Sequence, residues 1–196
     1  MSEDPGALGE AVPEAPVEAS VDEHPNRDDL VVVLSAVPER IADITSTLDE
    51  TKLRYRHGPA FPTLRELIEH LALSGTRVDA LLRHAYIDHQ QQLDVREAID
   101  PRLEAEGADS VADLLDNFHR VRRRTIDMLR GLTAEEWDRS IEDPGQGPVS
   151  MLEVTRQVTH HEAAHLAQIR NLIALLPEPQ DLGPVGAPRR RLPTLD

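Results

Sequence analysis

SMLEVTRQVTHHEAAHLAQIRNLIALL, residues 150–176, reads as one long helix. Ser150 followed by Glu153 has the spacing of a capping box, and Pro177 stops the run. At about 100° per residue, Val154, Val158, Ile169, Leu172 and Leu176 share a narrow apolar stripe. His165 falls near the centre of that stripe and His161 toward its edge, whereas His160 points away and reads as a surface residue. Side chains four apart on a helix lie one above the other, so His161 and His165 can present two imidazoles to one ion. A buried imidazole without a partner is costly, and a shared metal is one reason to place two of them on a core face. Hydrogen bonds to neighbouring helices are the other. Glu162 sits on the shoulder of the stripe, where it reads as a partner of the ligand histidines, a proton acceptor or a helix-surface acid.

His161-Glu162-x-x-His165 also matches the metalloprotease signature in which two histidines bind zinc and the glutamate is the general base. Three features argue against a protease. Gln168 and Asn171 stand where the extended motif needs Gly and His, Glu178 lies beyond the Pro177 stop, and no strand-rich segment upstream offers an edge to hold a peptide.

Working back along the chain, the pattern predicts three more principal helices. One covers about 28–50, with Leu30, Leu34, Val37, Ile41, Ile44 and Leu48 on one face and Pro38 breaking or kinking its early part. The second runs from the Thr63–Glu66 capping box to about 87, burying Leu64, Leu67, Ile68, Leu71, Val78, Leu81 and Leu82. The third runs from the Ser110 cap to about 130, with Gly131 as a stop. A short helix around 94–105 and a helical turn capped by Thr133 and Glu136, containing Trp137, fill the connections. The loop 143–148, DPGQGP, has strong turn chemistry, and no stretch shows strand alternation. The expected fold is all-α: a four-helix bundle over 28–176 with a long crossover connection. Residues 1–27, acidic and Pro-rich, and 177–196, Pro- and Arg-rich, read as disordered tails.

Composition narrows the chemistry. Hydrophobic residues make up 39% and aromatics 3%, so the core must be Leu, Val, Ile and Ala. With no cysteine, disulfides, thiolate-bound zinc, iron–sulfur clusters and cysteine nucleophiles are excluded, and any metal must be held by His or carboxylates. A net charge of −15 disfavours nucleic acid as a partner. No apolar run approaches the roughly 18 residues of a membrane span, and the acidic start is unlike a signal peptide, so a cytoplasmic protein is expected.

A third metal ligand must come from elsewhere, and His57, His70, His84, His89 and His119 are the candidates. His70 lies at the edge of its helix's apolar stripe, which permits it without selecting it. Residues 64–72, LRELIEHLA, resemble the second-helix motif of the DinB-like/YfiT-like superfamily of metal-binding four-helix proteins. Residues 161–169, HEAAHLAQI, resemble that family's closing-helix motif. The likeness extends to Val37-Pro38, Leu132-Thr133 and the approach to the last helix from Gly147 to Ser150. The family often opens its second helix with Trp-Ser, where this chain has Phe61-Pro62-Thr63. The resemblance implies one metal held by His70, His161 and His165.

Three imidazoles leave coordination positions open, as in catalytic sites, and suit zinc or nickel, with iron an alternative. The resemblance implies a transferase using a low-molecular-weight thiol cosubstrate in detoxification or stress response, a metal-dependent hydrolase, or a non-catalytic metal-binding stress protein. A small-molecule substrate is expected in the catalytic readings. Pairing through helices into a homodimer is implied by resemblance alone.

Overall fold

The computed structural model describes residues 26–87, 92–102 and 109–177. Of the expected tails, residues 1–25 and 178–196 lie outside the described residues, as do 103–105 of the helix expected around 94–105, which ends earlier, at Ile99. The chain runs α1 (Arg27–Thr45), α2 (Glu50–Leu53), α3 (Leu64–Tyr86), α4 (Val95–Ile99), α5 (Val111–Gly131), α6 (Ala134–Trp137), β1 (Ser140–Asp143), β2 (Gly147–Ser150) and α7 (Met151–Ala174).

Side-chain caps start the long helices. Asn26, Thr63 and Ser110 each accept from the backbone N–H three residues on, and Asp29, Glu66 and Asp113 return the bond. At α7 the expected box is half formed: Ser150 accepts from the Glu153 N–H, while the Glu153 carboxylate turns to Arg156 and Gln157. The first helix ends earlier than its apolar period suggests. The Thr45 hydroxyl bonds back to the Ile41 carbonyl, and Asp49 caps the separate turn α2. Pro38 does not break α1, which runs through it with the proline ring buried.

The long helices form a four-helix bundle. α1 packs on α5 and α7, and α3 packs on the same two, so α1 faces α3 and α5 faces α7 across the diagonals. The connection from α5 to α7 therefore crosses the bundle. It contains a β-hairpin, which corrects the expectation of no strands. Ile141 pairs with Val149 and Ser140 with Ser150. Four-residue strands with an acidic inward position carry almost no alternation signal. The inward acid, Asp143, closes the turn by accepting from the Gly145 and Gln146 N–H groups at 2.8 and 2.7 Å. Gly147, at φ 79°, supplies the left-handed conformation that only glycine adopts at little cost. Among the described residues no helix is long and apolar enough to cross a membrane.

The apolar core has two parts. One joins Leu34, Val78, Leu82, Ile126, Leu129, Trp137, Val154 and Val158; the other joins Val37, Ile41, Leu67, Leu71, Phe118, Leu166 and Ile169. At the level between them the buried residues include Ser74, Arg122, Thr125, Thr159 and Glu162.

Candidate metal centre

α3 and α7 bring His70, His161 and His165 together, each half-buried, with one ligand atom from each ring within 4.8 Å of the other two. His70 Nε2 and His161 Nε2 are 3.2 Å apart. Two imidazole nitrogens each about 2.0–2.1 Å from one tetrahedral ion would lie about 3.3 Å apart, so the spacing suits a shared metal. Ring centroids are separated by 4.5–5.2 Å and the planes are steeply inclined, which points the rings inward without stacking them.

The protonation states also fit. Burial, reinforced by neighbouring His165 and His70, pushes the His161 ring down from 6.5 to about 4, against an opposing pull from Asp100. His70 is lowered mainly by burial and then by His165, while Asp100 and a hydrogen bond to the Pro101 carbonyl oppose the shift. Both rings are therefore neutral at neutral pH, with lone pairs free for a cation. Gln168 Oε1 lies 3.0 Å from His165 Nδ1. With the amide oxygen accepting from Nδ1–H, the His165 lone pair sits on Nε2, the kind of orienting contact metal-binding imidazoles usually have.

Asp100 was not among the residues singled out from the sequence. Its Oδ1 stands 3.5 Å from His70 Nε2, on a side chain that is 67% exposed, at the mouth of a cleft lined by His70, Asp94, Arg96, Glu97, Pro101 and Arg102. Nothing in a short polar connector marks this aspartate. It is brought in by tertiary bonds: the Ser74 hydroxyl donates to the Ile99 carbonyl at 2.7 Å, and the Val95 N–H donates to Asp143 of the hairpin at 2.7 Å.

Glu162 lies elsewhere than the shoulder of α7. It is fully buried and paired with Arg122 of α5, which is 3% exposed. The inward face of α7 runs through Met151, Thr155, Val158, Glu162, Leu166 and Ile169, so Glu162 is at its centre and His165 and His161 are on the flank toward α3. The expected order is reversed because Thr155 and Thr159 are buried too. Their hydroxyls bond back to the Met151 and Thr155 carbonyls at 2.7 and 2.8 Å, and the buried face widens on the Glu162 side. Burial pushes the Glu162 carboxyl up and Arg122 pulls it back. Arg122 did carry a sequence signal, as a charge in register with Phe118, Thr125 and Leu129 on the buried face of α5.

The other candidate histidines stand apart from the cluster. His57 Nε2 is 3.4 Å from the Leu172 carbonyl oxygen, His84 lines a cleft with Asp79 and Arg83, and His119 lines the α1–α5 groove. His160 is exposed, as expected, and His89 lies outside the described residues.

Two adjacent helices of the bundle thus bring together three imidazoles that could hold a metal ion. The DinB superfamily model matches residues 34–169, and the chain belongs to that superfamily. A Bacillus pumilus (strain SAFR-032) protein named "Putative metal-dependent hydrolase" is 31% identical over 144 residues, covering 71% of this chain and 81% of that protein. The fold is shared with YfiT from Bacillus subtilis, described as a probable metal-dependent hydrolase with an unusual four-helix bundle topology. The TM-score is 0.64 at 19% identity, covering 82% of this chain and 91% of that one.

Proposed function

We propose that the chain is a divalent-metal-dependent hydrolase of a small molecule, with His70, His161 and His165 as the metal ligands and Asp100 as the proton acceptor. The observation that carries this reading is the convergence of three imidazoles beside an exposed carboxylate, with Asp100 Oδ1 3.5 Å from His70 Nε2. The name of the 31% identical relative supports the same class. A bound divalent ion would supply Lewis acidity and lower the pKa of a water at neutral pH. The chain's own groups do the rest. The three rings hold the ion, with zinc or nickel favoured and iron the alternative. Asp100 accepts the proton of the attacking water and returns it to the leaving group. The cleft along α4 admits the substrate.

Glu162 is the less suitable base, since its carboxylate is sealed inside the bundle against Arg122. A transferase using a low-molecular-weight thiol needs the same three ligands, so the tests must separate the two chemistries. Metal analysis of the purified protein is expected to give one transition-metal ion per chain, lost in His70→Ala and in His165→Ala. No stoichiometric metal would overturn both readings. On a panel of small esters and amides, Asp100→Asn should lower turnover by about 10²–10⁴-fold with metal content intact. A sulfur-to-metal charge-transfer band on adding thiols to the Co(II)-substituted protein, without hydrolysis of the panel, would replace hydrolysis by thiol transfer.

A further inference from the structure

Three helices and two charges lie behind the histidine cluster. Glu162 follows His161 directly on α7 but faces inward, across the bundle diagonal, to Arg122 on α5. Around it the inward face of α7 is Val158, Leu166 and Ile169 with two self-bonded threonines. Hydrophobic attraction has no preferred direction, so such a face resists rotation of the helix only through its packing. A buried ion pair is different. Turning α7 about its axis by the angle of a single residue would carry the carboxylate out of Arg122's reach and leave two uncompensated charges in an apolar interior.

Arg122 is itself held in place. Its guanidinium lies 5.3 Å from the centroid of the Phe118 ring. Phe118 in turn seats on α3 where Gly75 has no side chain. A Cβ at position 75 would come within 2.7 Å of the ring. The same α3 carries His70. A closed circuit therefore runs from α3 through Gly75 to Phe118 and Arg122 of α5, on to Glu162 of α7, and back through His161 to His70.

We infer that the Arg122–Glu162 pair is a positioning device that sets the rotation of α7 and so the convergence of His161 and His165 on His70. The inference rests on the metal-centre reading above. The pair is poorly explained as a source of stability. Glu162 Oε2 and Arg122 Nε are buried with no hydrogen-bond partner among the described residues, and well-packed apolar residues commonly replace a buried ion pair at no loss of stability.

That difference supplies the test. Arg122→Met/Glu162→Met fills the same space without charge. The apo double variant is expected to keep the helical circular dichroism of the parent and to melt at the same temperature or higher. Its Co(II) affinity, measured by chelator competition, should fall about 10–100-fold, and the visible d–d spectrum should change shape. Glu162→Gln, which keeps an oxygen acceptor for Arg122, should recover most of the affinity. If the double variant folds and binds Co(II) as tightly as the parent with the same spectrum, the positioning role is overturned and the metal reading stands. If the parent binds no Co(II), the metal reading fails and this inference fails with it. Should the double variant not fold, Arg122→Lys decides: it keeps the charge but loses the planar fork, and affinity equal to the parent's would overturn the inference.

Discussion

The two apolar ends of the bundle and the polar waist between them follow opposite rules. At the ends, Leu34, Val78 and Val154 on one side and Ile41, Leu71 and Ile169 on the other are fully or almost fully buried, with no polar atom beyond the backbone. Aliphatic residues of similar size could exchange there at modest cost. At the waist, Arg122 and Glu162 are equally buried but depend on one another. The ends provide cohesion without specifying rotation, whereas the waist specifies rotation at a cost in desolvation. His161 and His165 stand on the flank of α7 beside this layer, where rotation matters most.

Four changes would break or sharpen that contrast. The largest effect is expected from Arg122→Ala, which leaves the Glu162 carboxyl buried without its partner. Urea unfolding should show a loss of about 3–5 kcal/mol, and a loss below 1 kcal/mol would erase the distinction between waist and ends. Gly75→Ala should cost about 1–3 kcal/mol by overpacking against Phe118, with a weaker Co(II) affinity as its companion. A change in stability without any change in affinity would uncouple the α3–α5 seam from the centre.

Acid titration ranks next. The apo protein's His161 has its folded value lowered from 6.5 to about 4. Between those values the unfolded chain binds a proton that the folded protein refuses, so stability falls as pH drops through the window and is fully present above 6.5. With allowance for partial exposure the loss is about 1–2 kcal/mol, and it should shrink in His161→Gln. Equal acid sensitivity of the two proteins would refute the assignment. Smallest is Ile169→Val at an apolar end, expected to cost about 0.5–1.5 kcal/mol with Co(II) affinity unchanged. An affinity loss matching that of the Arg122 and Glu162 variants would show that rotation is set by packing in general.

Much of this was legible along the chain. The capping pairs Thr63–Glu66 and Thr133–Glu136 mark helix starts because both partners lie within four residues. His161 and His165 are neighbours by helix geometry alone. The hairpin was hidden because its strands are short and its inward acid, Asp143, is satisfied by the Val95 N–H as well as by its own turn. The exact facing of α7 was hidden because buried threonines count as polar in a sequence pattern. Position 162 consequently looked like a shoulder.

The sequence by itself determined four long helices, their caps, the absence of cysteine chemistry and an i, i+4 histidine pair. Each of these depends on local spacing or composition. The tertiary structure brought His70, which resemblance alone names, to that pair, and it alone decided that Asp100 stands at the cleft and that Glu162 answers to Arg122. Their partners lie 91, 30 and 40 residues apart in the chain. Such pairings follow from which elements lie side by side or across a diagonal and how each helix is rotated, and no local periodicity carries that information.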